Sequence, residues 1–125
     1  MAQKQAQQMS REEMERCIQN CLDCRRICME TIGYCLQMGG RHSEPAHIRL
    51  LIDCAEICQT SADFMIRHSE LHTSSCALCA EVCEACAEDC AQFAGDQRMS
   101  ACEEMCRRCA ESCRRMAETK LRKAA

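Results

Sequence analysis

The cysteines of this chain decide what it can fold into, because sixteen of its 125 residues are cysteine and most stand three or four positions apart. Steps of three and four residues follow the period of an α-helix, so each run of cysteines places its thiols on one helical face. The runs are Cys17, Cys21, Cys24, Cys28 and Cys35; Cys54 and Cys58; Cys76, Cys79, Cys83, Cys86 and Cys90; and Cys102, Cys106, Cys109 and Cys113. We therefore predict four helices, each with a stripe of thiols where other helices carry leucine.

Capping and turn residues predict where these helices begin and end. Ser10 suits an N-cap, Gly39 ends the first helix, Pro45 fits the first turn of the second, and Gly95 lies in the turn before the fourth. The predicted helices cover residues 10–38, 44–69, 72–94 and 98–121, each bound being approximate. Connections this short place neighbouring helices antiparallel, so the sequence predicts an all-α, up-down-up-down four-helix bundle with a cysteine-lined core, as a single domain over residues 1–125.

Composition excludes several classes of protein. Aromatic residues make up 2% of the chain and 16 basic residues face 19 acidic ones, so the basic, aromatic-rich surface of a nucleic-acid binder is missing. No apolar run approaches the roughly 18 residues of a membrane span. Residues 1–10 lack the apolar stretch of a secretory signal, so we expect a cytoplasmic protein whose thiols stay reduced.

Cysteines at helical spacing can serve several functions, which we consider in turn. Neighbouring Cβ atoms on a helix lie about 5 to 6 Å apart, whereas a disulfide needs about 3.8 Å, which disfavours a disulfide scaffold. The cysteine run of ferredoxins is absent, and only Glu44 with His47 has the ExxH spacing of a di-iron bundle. For any single cysteine, burial as an inert small side chain remains an alternative.

A bridging metal suits helical spacing better than a disulfide does. Two metal–sulfur bonds of about 2.3 Å span up to ~4.5 Å between sulfurs. Four Zn²⁺ ions on sixteen thiolates would leave a buried charge of −8, whereas sixteen Cu(I) ions would leave none. Because Cu(I) is also the soft ion that thiolates select, we predict roughly one Cu(I) per cysteine as an upper bound. A zinc or mixed-metal detoxifying sink and a thiol redox reservoir remain alternatives.

Projection of the helices places soft or imidazole side chains at both ends of the thiol column. One end carries Met38, His47 and Met99, and the other carries Met14, Met65, His68 and Met116. We take His47 as a candidate metal ligand, with capping of its helix as the alternative. His42 and His68 are expected to be solvated, the methionines of the second end to plug the bundle, and Thr31 to serve packing alone.

Taken together, these segments resemble the bacterial copper storage proteins over residues 14–117. The segments that carry the likeness are CIQNCLDCRRIC (17–28), HIRLLIDCAEIC (47–58), CALCAEVCEACAEDC (76–90) and CEEMCRRCAESC (102–113). The resemblance implies a four-helix bundle that binds many Cu(I) ions through core cysteines, often as a homotetramer, with histidine or methionine near an open end. Here that end matches Met38, His42, His47 and Met99. Thr31 and His47 stand where further cysteines would be expected, and residues 93–99 contain no histidine.

We therefore predict a protein that stores and buffers multiple Cu(I) ions at its sixteen cysteines and at His47. No nucleophile with a positioned base is visible in the sequence, so we do not expect an enzyme. The expected partners are copper ions and a copper chaperone or low-molecular-weight thiol, with no nucleic acid and no membrane. Aliphatic side chains beside the thiol stripes would join helices within the bundle or subunits of a homo-oligomer: Ile18, Leu22, Leu36, Ile48, Ile52 and Ile66.

Overall fold

The computed structural model describes the backbone of residues 2–124 and the side chains of residues 11–118. This part of the chain forms four α-helices, α1 (Ala2–Met38), α2 (Pro45–Ile66), α3 (His72–Cys90) and α4 (Gln97–Ala124). A short 3-10 helix, Gly40–Ser43, joins α1 to α2. Among the described residues, none of these helices combines the length and the apolar character that crossing a membrane requires.

The outer ends of the bundle helices differ from the predicted ends. Helix α1 begins at Ala2 rather than near residue 10, because the preceding segment is built from good helix formers without a glycine or proline. Helix α4 begins at Gln97 and continues to Ala124, three residues beyond the predicted end. In both cases the helix continues beyond the cysteine stripe because the residues there also favour a helix. The predicted ends followed the cysteine stripe, which is the stronger pattern in the sequence.

Local hydrogen bonds end α2 and α3 earlier than predicted. Helix α2 stops at Ile66 because His68 takes a positive φ of 57° and the Ser69 N–H bonds to the Phe64 carbonyl, an arrangement that closes a helix C-terminus. Helix α3 stops at Cys90, four residues before the predicted end, and is followed by turns. Asp96 then caps α4, since its Oδ1 accepts the N–H groups of residues 98 and 99 at 3.0 and 3.2 Å.

The helices form a closed ring in which α1 contacts α2 and α4, and α3 contacts the same two helices. Along α1 and α4, Cys17 meets Cys113 at 3.6 Å between sulfurs while Cys28 meets Cys106 at 4.0 Å. Residue numbers therefore rise along one helix as they fall along its neighbour, and α2 and α3 show the same reversal. The predicted antiparallel four-helix bundle is confirmed.

The core of this bundle consists largely of thiols. All sixteen cysteines are buried, none more than 1% exposed. The largest fully buried side chains besides them are Leu51, Met65 and Met99, with small alanines such as Ala62 filling space between the helices. The predicted cysteine-lined core is therefore confirmed, and only a few bulky apolar groups support it.

The aliphatic residues beside the stripes divide between the core and the surface. Ile18 is buried with 8% of its surface exposed and packs within the bundle. Leu36, Ile52 and Ile66 are instead 57%, 41% and 52% exposed. These three side chains therefore lie outside the core of the single chain.

Replacing Leu51 with alanine should lower the free energy of unfolding of the metal-free protein by about 2 to 5 kcal/mol, because a fully buried side chain leaves a cavity. Urea denaturation under anaerobic, reducing conditions measures this loss. The matched control is Leu78→Ala, whose side chain is 50% exposed and whose effect should stay within about 0.5 kcal/mol. Equal losses in the two variants would contradict the assigned core.

Candidate metal centre

Thiols from all four helices meet along the axis of the bundle. Sulfur–sulfur distances between helices run from 3.5 Å for Cys21 and Cys113 to 4.0 Å for Cys24 and Cys54. Even α2 and α4, which lie across the ring from each other, bring the sulfurs of Cys58 and Cys109 to 3.9 Å. These separations lie below the ~4.5 Å that one metal ion can bridge through two sulfur bonds.

The thiols group into five clusters whose members' sulfurs all lie within 4.8 Å of one another. From one end of the bundle to the other the clusters are Cys17, Cys76 and Cys113; Cys21, Cys79, Cys109 and Cys113; Cys24, Cys58, Cys83 and Cys109; Cys24, Cys28, Cys54 and Cys106; and Cys28, Cys86, Cys102 and Cys106. Only Cys35 and Cys90, among the cysteines, belong to none of them. The structure thus brings fourteen of the predicted site cysteines into clusters of metal-ligating size.

Consecutive clusters share cysteines, so they form one continuous column. Each of the five shared thiols belongs to two neighbouring clusters: Cys113, Cys109, Cys24, Cys28 and Cys106. A thiolate can bind two metal ions at once through two of its lone pairs. A cysteine that belongs to two clusters is therefore placed to bridge an ion in one cluster and an ion in the next. The column is therefore suited to many linked ions rather than to a few isolated ones.

One end of the column lies beside the 3-10 helix and the α3–α4 connection, and we call it the open end. A different set of metal donors lies there. The sulfur of Cys35 lies 3.4 Å from Nε2 of His47 and 3.7 Å from the thioether sulfur of Met99. His47 is 4% exposed and Met99 is fully buried. One thiol, one imidazole and one thioether thus converge, all of them donors that Cu(I) accepts.

Asp89 orients the imidazole at the open end. The other ring nitrogen of His47, Nδ1, is hydrogen-bonded to the Asp89 carboxylate. A carboxylate on one ring nitrogen fixes the tautomer and directs the second nitrogen toward a metal. Sequence reasoning missed Asp89, although a carboxylate next to Cys90, at the edge of the α3 stripe, was a signal that could have drawn attention to it.

The remaining candidates at the open end lie outside the column. Met38 was projected onto the stripe but is 54% exposed, because it is the last residue of α1 and no partner helix covers it. His42 is half-buried and bonds Asp96 at 2.9 Å rather than a thiol. Thr31 is buried and donates to the Ile27 carbonyl at 2.7 Å, which agrees with the packing role expected for it.

At the opposite end, hydroxyl groups rather than histidines accompany the thiols. Ser61 Oγ lies 3.2 Å from the sulfur of Cys76, and Ser112 Oγ donates to Cys17 at 3.4 Å. Neither serine was predicted to take part in the site, because a serine hydroxyl carries no metal signature in a sequence. The projection placed His68 at this end of the column, but α2 ends before it and its side chain is exposed, which agrees with the solvation expected for it.

Among the described side chains, no lysine or arginine is buried in the column to balance thiolate charge. Over the described side chains, the buried polar residues are His47 and five residues with hydroxyl groups: Thr31, Ser61, Thr73, Ser75 and Ser112. An unbalanced charge in such an interior is severely disfavoured. Thiolates can therefore accumulate there only together with protons or metal cations.

Proton sharing among the thiols follows from this burial. Burial, helped by the nearby Cys102, raises the pKa of Cys35 to about 11. Hydrogen bonding to Cys113 raises the pKa of Cys109 far above its usual range, while the hydrogen bond that Cys109 donates lowers the pKa of Cys21. Without metal, the thiols of the column thus share protons through hydrogen bonds, and an incoming soft cation must displace these protons.

Comparison with known proteins identifies the family. The family model of the copper storage proteins matches residues 10–118. The chain belongs to the copper storage protein family.

Three solved structures resemble this copper storage family member over most of its length. A protein of Nitrosospira multiformis is 44% identical, with 86% of this chain and 97% of that chain covered and a TM-score of 0.82. The Cu(I)-bound copper storage protein 3 of Bacillus subtilis is 37% identical, covering 84% and 98%, with a TM-score of 0.79. A cytosolic copper storage protein of Streptomyces lividans with five coppers is 33% identical, covering 88% and 96%, with a TM-score of 0.76.

One curated relative is also similar to this chain. It is an uncharacterized cysteine-rich protein of Bacillus subtilis strain 168, 39% identical over 68 residues that make up 54% of this chain. The match spans 63% of that relative's length.

The raised pKa of Cys35 should make the metal-free protein less stable as the pH rises from about 9 to about 11. In that window the folded thiol keeps a proton that the unfolded thiol has lost, so the folded state binds more protons and stability falls with pH. Urea midpoints of the reduced protein at both ends of the window measure the effect. Cys35→Ser removes this titration, so its loss of stability across the window should be smaller; an equal or larger loss would contradict the assignment.

Proposed function

We propose that this chain stores and buffers multiple Cu(I) ions in the cytoplasm, as a single domain over residues 1–125 and without catalysing a reaction. The observation that carries the proposal is a continuous column of fourteen buried thiols, within a core of sixteen, and no buried lysine or arginine among the described residues. One monovalent ion per thiolate leaves the interior neutral, whereas divalent ions at four-cysteine sites leave net negative charge. Thiolate softness selects Cu(I) among the monovalent ions.

The relatives support both the cargo and the compartment. The Bacillus subtilis relative holds Cu(I), and the Streptomyces lividans relative is a cytosolic protein that takes up several coppers. Membership of the family makes storage the expected role, and the thiol that pairs with an imidazole, Cys35 with His47, is buried. Copper ions are thus the proposed partners, delivered by a copper chaperone or a low-molecular-weight thiol.

We assign the role of metal ligand to the sixteen cysteines and to His47. Nε2 of His47 points at the Cys35 thiol, and the Met99 thioether completes a mixed site at the open end. Met38 and His42 are not included, because one is exposed and the other is engaged by Asp96. The open end offers a mixed set of donors that suits the binding of the first ion.

A homo-oligomer, with a tetramer as the proposed size, accounts for the apolar groups left on the surface. Met29, Leu36, Ile52 and Ile66 are each between 41% and 57% exposed, on α1 and α2. Burial of such side chains between copies of the chain would contribute about 25 cal/mol for each Å² of apolar surface removed from water. The α1–α2 side of the bundle is therefore the proposed subunit interface.

Anaerobic titration of the reduced protein with Cu(I), against a chromophoric chelator, should reach saturation at close to one ion per cysteine, about sixteen per chain. The reason is charge neutrality in the column. A parallel Zn²⁺ titration should saturate at about four ions and lose to Cu(I) in competition. Saturation at one or two Cu(I), or retention of zinc against Cu(I), would contradict the storage function.

Asp89→Asn should weaken the binding of the first Cu(I) by about 10- to 100-fold, because the imidazole of His47 loses the carboxylate that orients it. The same substitution made together with His47→Gln should add nothing to the effect of His47→Gln alone. Competition with the chelator at less than one Cu(I) per chain measures these affinities. Asp53→Asn, at an exposed position of α2, is the control; an additive effect of Asp89→Asn would show that it does not act through His47.

A further inference from the structure

A groove beside the open end lies outside the thiol column and has no role in holding stored ions. Its volume is about 700 Å³, and its wall consists of the α3–α4 connection, residues 92–98, together with Tyr34, Arg41 and His42. Pockets of about 300 to 1,000 Å³ are the size that takes a small organic molecule. The groove is therefore large enough for a ligand of the size of a tripeptide.

One carboxylate ties the walls of this groove together. Asp96 accepts hydrogen bonds from the Tyr34 hydroxyl at 2.7 Å and pairs with the His42 ring at 2.9 Å. Its second oxygen accepts the backbone N–H groups of Arg98 and Met99. Asp96 thus connects helix α1, the 3-10 helix and the start of α4. Because both of its oxygens already have hydrogen-bond partners, Asp96 does not need either arginine as a partner.

Two arginines flank the groove and keep their charge available. The Arg41 guanidinium lies 5.1 Å from the centre of the Phe93 ring, and that of Arg98 lies 5.5 Å from the Tyr34 ring. Both side chains are exposed, and no salt bridge joins either of them to a carboxylate of the described residues. Stacking on an aromatic ring leaves the edge of a guanidinium free to bind a carboxylate through two hydrogen bonds.

The groove adjoins the open-end ligands. The Phe93 ring lies 4.4 Å from the His42 ring on the groove side and 4.9 Å from the His47 ring on the column side. Met99, the residue after Arg98, contacts the Cys35 thiol at 3.7 Å. A molecule held in the groove would therefore sit one aromatic ring away from His47.

We propose that this groove binds the carboxylate groups of a small thiol that carries Cu(I), and holds the complex against the open end. The inference rests on the proposed storage function. A Cu(I) ion with two thiolates of carboxylated thiols is strongly anionic, which matches two arginines that lack partner carboxylates. Complementary charge of this kind raises the rate of encounter more than it raises final affinity.

Transfer from such a complex is a ligand exchange without a redox step. Two copper–sulfur bonds to the small thiols break and two bonds to protein sulfurs form, while copper stays Cu(I). At the open end the two protein sulfurs are those of the Cys35 thiol and the Met99 thioether. The one proton displaced from Cys35 passes to one departing thiolate, so the released products are one neutral thiol and one thiolate, and the bound Cu(I) and Cys35 thiolate are neutral together. No oxidant or reductant is required.

The test compares rates of Cu(I) transfer from two donors by anaerobic stopped flow. The donors are the Cu(I) complex of glutathione, a tripeptide thiol with two carboxylates, and that of cysteamine, which has none. In the double variant Arg41→Gln with Arg98→Gln, transfer from glutathione should slow by about 10-fold, within the range that electrostatic steering provides. Transfer from cysteamine should not slow, and the final number of bound Cu(I) ions should not change.

The matched control carries the same loss of charge elsewhere, Arg25→Gln with Arg108→Gln at exposed positions of α1 and α4. Slower transfer from glutathione in the control, to the same extent as in the groove variant, would overturn the proposal in favour of a general effect of net charge. So would an equal slowing with cysteamine, or no slowing at all. A protein that fails to bind several Cu(I) ions from either donor would overturn the storage function instead.

A copper-free measurement tests the groove by itself. S-methylglutathione keeps both carboxylates and has no thiol to bind metal. Added to the reduced, metal-free protein, it should shift the side-chain N–H resonances of Arg41 and Arg98 in a saturable way, and leave those of Arg25 and Arg108 unmoved. Shifts confined to the control arginines, or none at either pair, would overturn the proposal whatever the outcome with copper.

Discussion

Charge balance inside a narrow helical bundle is the constraint on which the rest of this structure depends. Sixteen ionisable thiols are buried in one core, fourteen of them in a continuous column, and among the described side chains no lysine or arginine is buried with them. Only protons or cations small enough to lie between sulfurs 3.5 to 4.0 Å apart can neutralise such an interior. Protons thus neutralise the thiols in the metal-free state and metal cations neutralise them in the loaded state. Storage depends on the exchange of one for the other.

The same column leaves little for the usual sources of stability. A cysteine side chain removes less apolar surface from water than leucine does, so the few bulky groups carry a large share of the packing. Leu51 lies within the cysteine stripe, Met99 fills space at the open end, and Met65 and Met116 fill space at the other. A bundle of this kind gains order when ions occupy the spaces between its sulfurs, since a ligand that binds the folded state alone stabilises it.

The two ends of the column differ in chemistry. Hydroxyl groups and methionines surround the thiols at one end. At the other end Cys35, His47 and Met99 converge, and the Asp89 carboxylate is hydrogen-bonded to the His47 ring. Aromatic rings and a shared carboxylate at the open end place two arginines just outside it. Storage, capture and recognition of a donor would then occupy adjacent parts of one structure.

The sequence by itself determined the helices, the side of each helix that faces inward and the identity of the core, because a period of three and four residues is a local property of the chain. It could not show that Asp89 orients His47, that Met38 stays exposed or that His68 lies in a turn, because these depend on where helices end and on which helix covers which. The grouping of cysteines into clusters with shared members likewise required the ring of four helices. Pairings between residues as far apart as Cys17 and Cys113 are set by packing across the bundle, which no local pattern in the sequence records.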